Sequence, residues 1–94
     1  MQLIFRKAKS GKGKVFIAFP FEKWGEKCGR EKACMTYSTE GHGVVSYDFL
    51  YNKTYPAKPT DDRKLLGHMM EWSDVEILAD LPPMDEVIGL KGAC

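Results

Sequence analysis

Alternation of period two runs through the first half of the chain. Gln2 to Lys9 and Lys14 to Phe21 are β-rich runs, and Ser10-Gly11-Lys12-Gly13 between them is short and flexible enough to close a hairpin. In the second run Val15, Ile17, Phe19 and Phe21 share one face, while Phe16 and Ala18 point the other way. A strand apolar on both faces is either central and covered twice, or presents one face to something outside the domain. Two-sided coverage is hard to arrange in a short chain. The Val15/Ile17/Phe19 face is therefore assigned to the core, and Phe16 with Ile4 to a partner surface.

Glu22 to Lys32 carries Gly25 and Gly29 among dense mixed charge and reads as a loop. Cys34 to Thr39 and Val44 to Tyr51 then form a second hairpin around Glu40-Gly41-His42-Gly43. Val45, Tyr47, Phe49 and Tyr51 alternate with Ser46 and Asp48, which predicts a strand with one wet and one packed face. Tyr55-Pro56-Ala57-Lys58-Pro59 must be extended, because each proline pushes its predecessor out of the helical region.

Thr60 reads as an N-cap, with Asp61 and Asp62 meeting the positive end of the helix dipole. Leu65, Leu66, Met69, Met70 and Trp72 fall on one arc opposite Arg63, Lys64 and Glu71, giving an amphipathic helix of about three turns. Core packing against the sheet explains that stripe better than an adaptable methionine surface. Val75, Ile77, Ala79 and Leu81 alternate with Glu76 and Asp80 as a fifth strand, which Pro82-Pro83 ends. Met84 to Leu90 holds a final helical turn.

The order hairpin, hairpin, helix, strand predicts an α+β domain: a curled antiparallel sheet of about five strands with one helix packed on it, either open or closed as a small barrel. Ninety-four residues at 44% hydrophobic and 29% charged composition make one domain over 1–94, with residues 82–94 as a short helix or tail. The three cysteines, Cys28, Cys34 and Cys94, are an odd set without the spacing of a disulfide framework, so all read as thiols in a reducing compartment. The start of the chain turns basic after three apolar residues, and no stretch is long enough to span a membrane, so a cytoplasmic protein is expected.

The formal net charge of +1 hides an asymmetry: residues 1–33 hold nine basic against three acidic side chains, +6, and residues 34–94 five against ten, −5. A dipole of this kind would steer an oppositely charged surface. It is densest on the first hairpin, where Arg6, Lys7, Lys9, Lys12 and Lys14 surround the tip with Phe16 and Trp24 nearby.

Catalytic constellations are weak. Cys28, Cys34, His42 and His68 match no metal-ligand spacing, so no metal is expected. Cys34 opens its strand while His42 belongs to the turn, which sets them too far apart for a nucleophile and base. Ser10-Gly11-Lys12-Gly13-Lys14 lacks phosphate-loop spacing and precedes a strand. Asp61-Asp62 and Asp85-Glu86 are adjacent pairs that diverge on a helix and suit its first turn. No cofactor is implied.

The leading expectation is a non-catalytic protein-interaction module. It would bind a larger protein bearing an acidic patch through Arg6, Lys7, Lys9, Lys12 and Lys14, with Phe16 and Trp24 as anchors. Compact, charge-polarised chains without a catalytic site are common among phage-encoded and other mobile-element proteins that bind and inhibit host machinery; the likeness is one of texture, and no family is recognised. A single-strand nucleic-acid binder using the same basic, aromatic hairpin is the alternative. A small hydrolase or nuclease using His42 or His68 is a third.

Overall fold

The computed structural model describes residues 1–9, 13–24 and 32–88. β1 (Gln2–Ala8) and β2 (Val15–Trp24) form the expected first hairpin, with Ile4 opposite Ala18 and Lys7 opposite Val15. β3 (Ala33–Ser38) adds to β2, and β4 (Gly41–Ser46) adds to β3 through a two-residue turn. After helix α1 (Tyr47–Asn52), β5 (Thr54–Pro56) returns to the far side of β1. A 3-10 turn (Pro59–Asp61) leads into α2 (Arg63–Met70). β6 (Glu76–Ile77) then pairs parallel with Gln2 and Leu3, and α3 (Met84–Ile88) follows.

Across the sheet the order is β4-β3-β2-β1-β5, and β6 shares the outer edge of β1 with β5. The fold is α+β, as expected. The sheet is mixed and six-stranded, and it remains open instead of closing into a barrel.

Each face of the sheet carries a packed cluster. On one, Leu3, Phe5, Val15, Ile17 and Phe19 pack with Leu65 and Met69 of α2. On the other, Ile4, Ala18 and Cys34 pack with Tyr47 and Leu50 of α1 and Val87 of α3. This corrects the assignment of Ile4 and Phe16 to a partner surface, since Ile4 is buried and Phe16 packs half-buried against the second cluster. Three short helices accomplish what one helix of three turns would not. The 75–84 segment completes the arrangement by passing around the edge of the sheet: Val75 packs on the α2 side, whereas Leu78, Leu81 and Met84 pack on the α1 side.

The largest departure from the sequence pattern is Val44 to Tyr51, whose alternation predicts a strand. The strand ends at Ser46, whose hydroxyl caps α1 by accepting from the Phe49 amide at 3.1 Å. Tyr47, Leu50 and Tyr51 also stand at i, i+3 and i+4, and the N-cap decides which of the two periods the chain obeys. Similarly, Asp62 and not Thr60 caps α2, accepting from the Leu65 amide. Met70 lies at the solvent side of α2 and is exposed. The fifth-strand pattern yields only Glu76–Ile77, because Leu78 and Leu81 turn inward to the second cluster.

Candidate functional site

The seven residues singled out on the first hairpin do not form one surface. Arg6 is buried, donating from Nε to Thr54 Oγ1 (2.9 Å) and from its terminal nitrogen to the Thr54 carbonyl (3.0 Å). Burial lowers its pKa, opposed by the nearby charge of Asp80. Its guanidinium ties β1 to β5 instead of facing a partner. Lys7 is half-buried. Lys9 is exposed, donates to the Asn52 carbonyl at 3.0 Å and lies 5.2 Å from the centre of the Tyr55 ring. Lys14 is ion-paired with Glu40. Lys12 lies outside the described residues. Trp24 ends the ten-residue strand whose other end meets the hairpin tip, so about 30 Å separates it from Lys14.

What the structure brings together instead is the uncovered end of the α2 face and the edge beside it. β2 pairs Phe19 with Met35 but Lys23 with Cys34, a register shift around Pro20, which has no amide to donate. The shift places Trp24 opposite Ala33, on the same face as Met35 and Phe19. Trp24, Met35, His42, Gly43 and Val44 line a shallow hollow of about 260 Å³, with Trp24 57% and Val44 46% exposed. α2 reaches only as far as Tyr37 and His68, whose hydroxyl and Nδ1 are hydrogen-bonded at 2.8 Å.

The edge of β4 carries the second feature. The Tyr47 amide donates to the Lys32 carbonyl at 2.9 Å, in register with the ladder that pairs Cys34 with Val45, Thr36 with Gly43 and Ser38 with Gly41. In an antiparallel ladder these alternate positions exchange the hydrogen bonds, so the N–H and C=O groups of His42 and Val44 point outward. Among the described residues β4 terminates the sheet, and from Gly41 to Ser46 it contains neither charge nor proline. Folded proteins ordinarily blunt such an edge with lysine, proline or a bulge. Gly43 belongs here for a steric reason: a Cβ at that position would stand 3.1 Å from Thr36 Oγ1.

His42 is therefore a strand residue, with its ring edge-on to Tyr37 at 5.0 Å, and not a turn residue. Cys34 is fully buried on the opposite face, and burial pushes its thiol up to about 12. A thiol held protonated and away from His42 is a poor nucleophile. Among the described residues no group of three or more His, Cys, Asp or Glu is placed to hold a metal ion, and no helix is long and apolar enough to cross a membrane. Of the side chains around this hollow, Trp24 alone is among the predicted partner contacts; His42 is expected in a turn, and Met35 and Val44 carry no expected role. The available signal was the run of six uncharged residues in β4, which periodicity alone joined to the segment after it.

Comparison with known proteins returns no match: no family model, no curated protein and no solved structure is significantly similar to the chain.

Proposed function

We propose that this protein is a non-catalytic interaction module that takes up an extended segment of a larger protein along the edge of β4. The observation that carries the reading is the edge itself, where the outward amide and carbonyl groups of His42 and Val44, unpaired by any strand among the described residues, form an uncharged template for one more strand. Strand addition draws affinity from main-chain hydrogen bonds and specificity from hollows that receive alternate side chains. The hollow beside the edge supplies the second part, with the exposed Trp24 as the kind of aromatic anchor on which interface energy concentrates. The contact thus moves from the basic tip of the first hairpin to the β4 edge of the sheet. Among the hairpin aromatics Phe5 is committed to the core and Phe16 packs half-buried against the second cluster, which removes support from base stacking there.

The test is Val44→Pro. Proline deletes the outward amide of Val44 but leaves the β3–β4 ladder, which uses the alternate positions. Peptides selected from a randomised library on the wild-type protein should shift the His42 and Val44 amides in NMR spectra and slow their exchange. Val44→Pro should abolish that binding while unfolding within about 1 kcal/mol of wild type. Peptides that bind the variant as well as wild type, or that map to β5 or the hairpin tip, would refute the assignment.

A further inference from the structure

Beyond the β4 edge, at the end of α2, four ring systems from four segments of the chain converge on a cleft. Phe19 of β2, Tyr37 of β3, His42 of β4 and Trp72 after α2, together with Met1, line a cavity of about 360 Å³, within the roughly 300–1,000 Å³ of small-ligand sites. The rings are steeply inclined to one another. Tyr37 and Trp72 meet edge-to-face at 5.1 Å and 79°, Tyr37 and His42 at 5.0 Å and 69°, and Phe19 and Trp72 are tilted by 41° at 6.0 Å. An adjoining hollow of about 280 Å³ shares Met1, Phe19 and His42 and adds Met35 and Glu22.

We infer that this cleft binds a quaternary ammonium group. The π face of an aromatic ring is negative, and a cation with an apolar skin gains both ring attraction and burial against the rings that line the space. Glu22 is the carboxylate of the adjoining hollow, and among the described residues no lysine or arginine lines either space. Met1 lines both spaces, and its ammonium, held by the Asp74 carbonyl at 2.6 Å, keeps its charge, so Glu22 offsets it and the preference for a cation rests on the rings. An anion would meet ring faces and a carboxylate, and a neutral ligand of the same shape would gain the burial without the ring attraction.

The experiment titrates choline, and in parallel its neutral isostere 3,3-dimethylbutan-1-ol, into the full chain while NMR follows the indole N–H signals. Trp24 lines neither space and serves as the internal reference. Choline should move the Trp72 signal and bind about tenfold more tightly than the isostere. Glu22→Gln, an exposed substitution that leaves the fold alone, should weaken choline about two- to fivefold. Trp72→Leu should remove the preference for the cation. A peptide bearing trimethyllysine, run as a second arm, distinguishes a side-chain source from a free small molecule according to which binds more tightly. Equal affinity for choline and isostere would overturn the inference, as would a Trp72 signal that neither moves. Because Val44→Pro leaves the cleft untouched, the two proposals fail separately.

Discussion

Cys34 illustrates how a single side chain can report on burial. It sits fully enclosed in the cluster with Tyr47 and Leu50, and loss of solvent raises its thiol from 9.0 to about 12. Below pH 9 the thiol is protonated in both folded and unfolded chains and has no effect on the pH dependence. Above pH 9 only the unfolded chain releases the proton, so stability falls by up to about 1.4 kcal/mol per pH unit until the folded thiol itself ionises. Tyr51, pushed up to about 12 chiefly by burial, adds loss in the same direction at higher pH. In Cys34→Ala this contribution of the thiol vanishes. The difference in urea-unfolding free energy between wild type and Cys34→Ala should therefore narrow by about 2 kcal/mol between pH 8 and 10.5. A constant difference would mean that the thiol is reached by water.

At the scale of elements, α1 is where the chain held two messages at once. Val45, Tyr47, Phe49 and Tyr51 have strand period, while Tyr47, Leu50 and Tyr51 have helical period, and only the Ser46 cap separates them. The cap is local chemistry and readable in principle; its victory depends on Leu50 and Tyr47 finding the sheet, which is tertiary information. Hence Leu50→Ala should cost about 2–5 kcal/mol and Ser46→Ala about 1 kcal/mol in urea titrations. A strand would have oriented Leu50 away from Tyr47 and made it expendable, so a negligible effect of Leu50→Ala would restore the strand. The two hairpins and α2 were legible because one period dominates each. The edge of β4 was not, because which strand lies outermost is fixed by β5 and β6 docking on β1 from far along the chain. Nor was the cleft, whose rings come from residues 19, 37, 42 and 72.

For the molecule as a whole, the question is how 94 residues place a packed cluster on each face of a six-stranded sheet. The charge asymmetry of the sequence offers no guide, since Glu40 of the acidic half pairs with Lys14 of the basic half. Coverage comes from economy of length: α1 and α3 are six and five residues long, and the segment between β6 and α3 drops Leu78 and Leu81 onto the same face on its way. Val87 is the far end of that arrangement and is fully buried. An aspartate there must either lose its charge or expel α3, and unpaired buried charge is among the most destabilising changes known. Val87→Asp should therefore lower unfolding free energy by several kcal/mol and raise binding of an apolar dye, as Ile4, Ala18, Tyr47 and Leu50 become accessible. Met70→Asp, on the 73% exposed residue of α2, should stay within about 0.5 kcal/mol of wild type. Were Val87→Asp equally silent, α3 would not be docked, and the cover over Ile4 and Ala18 would rest on Tyr47 and Leu50 of α1 with the 78–84 segment alone.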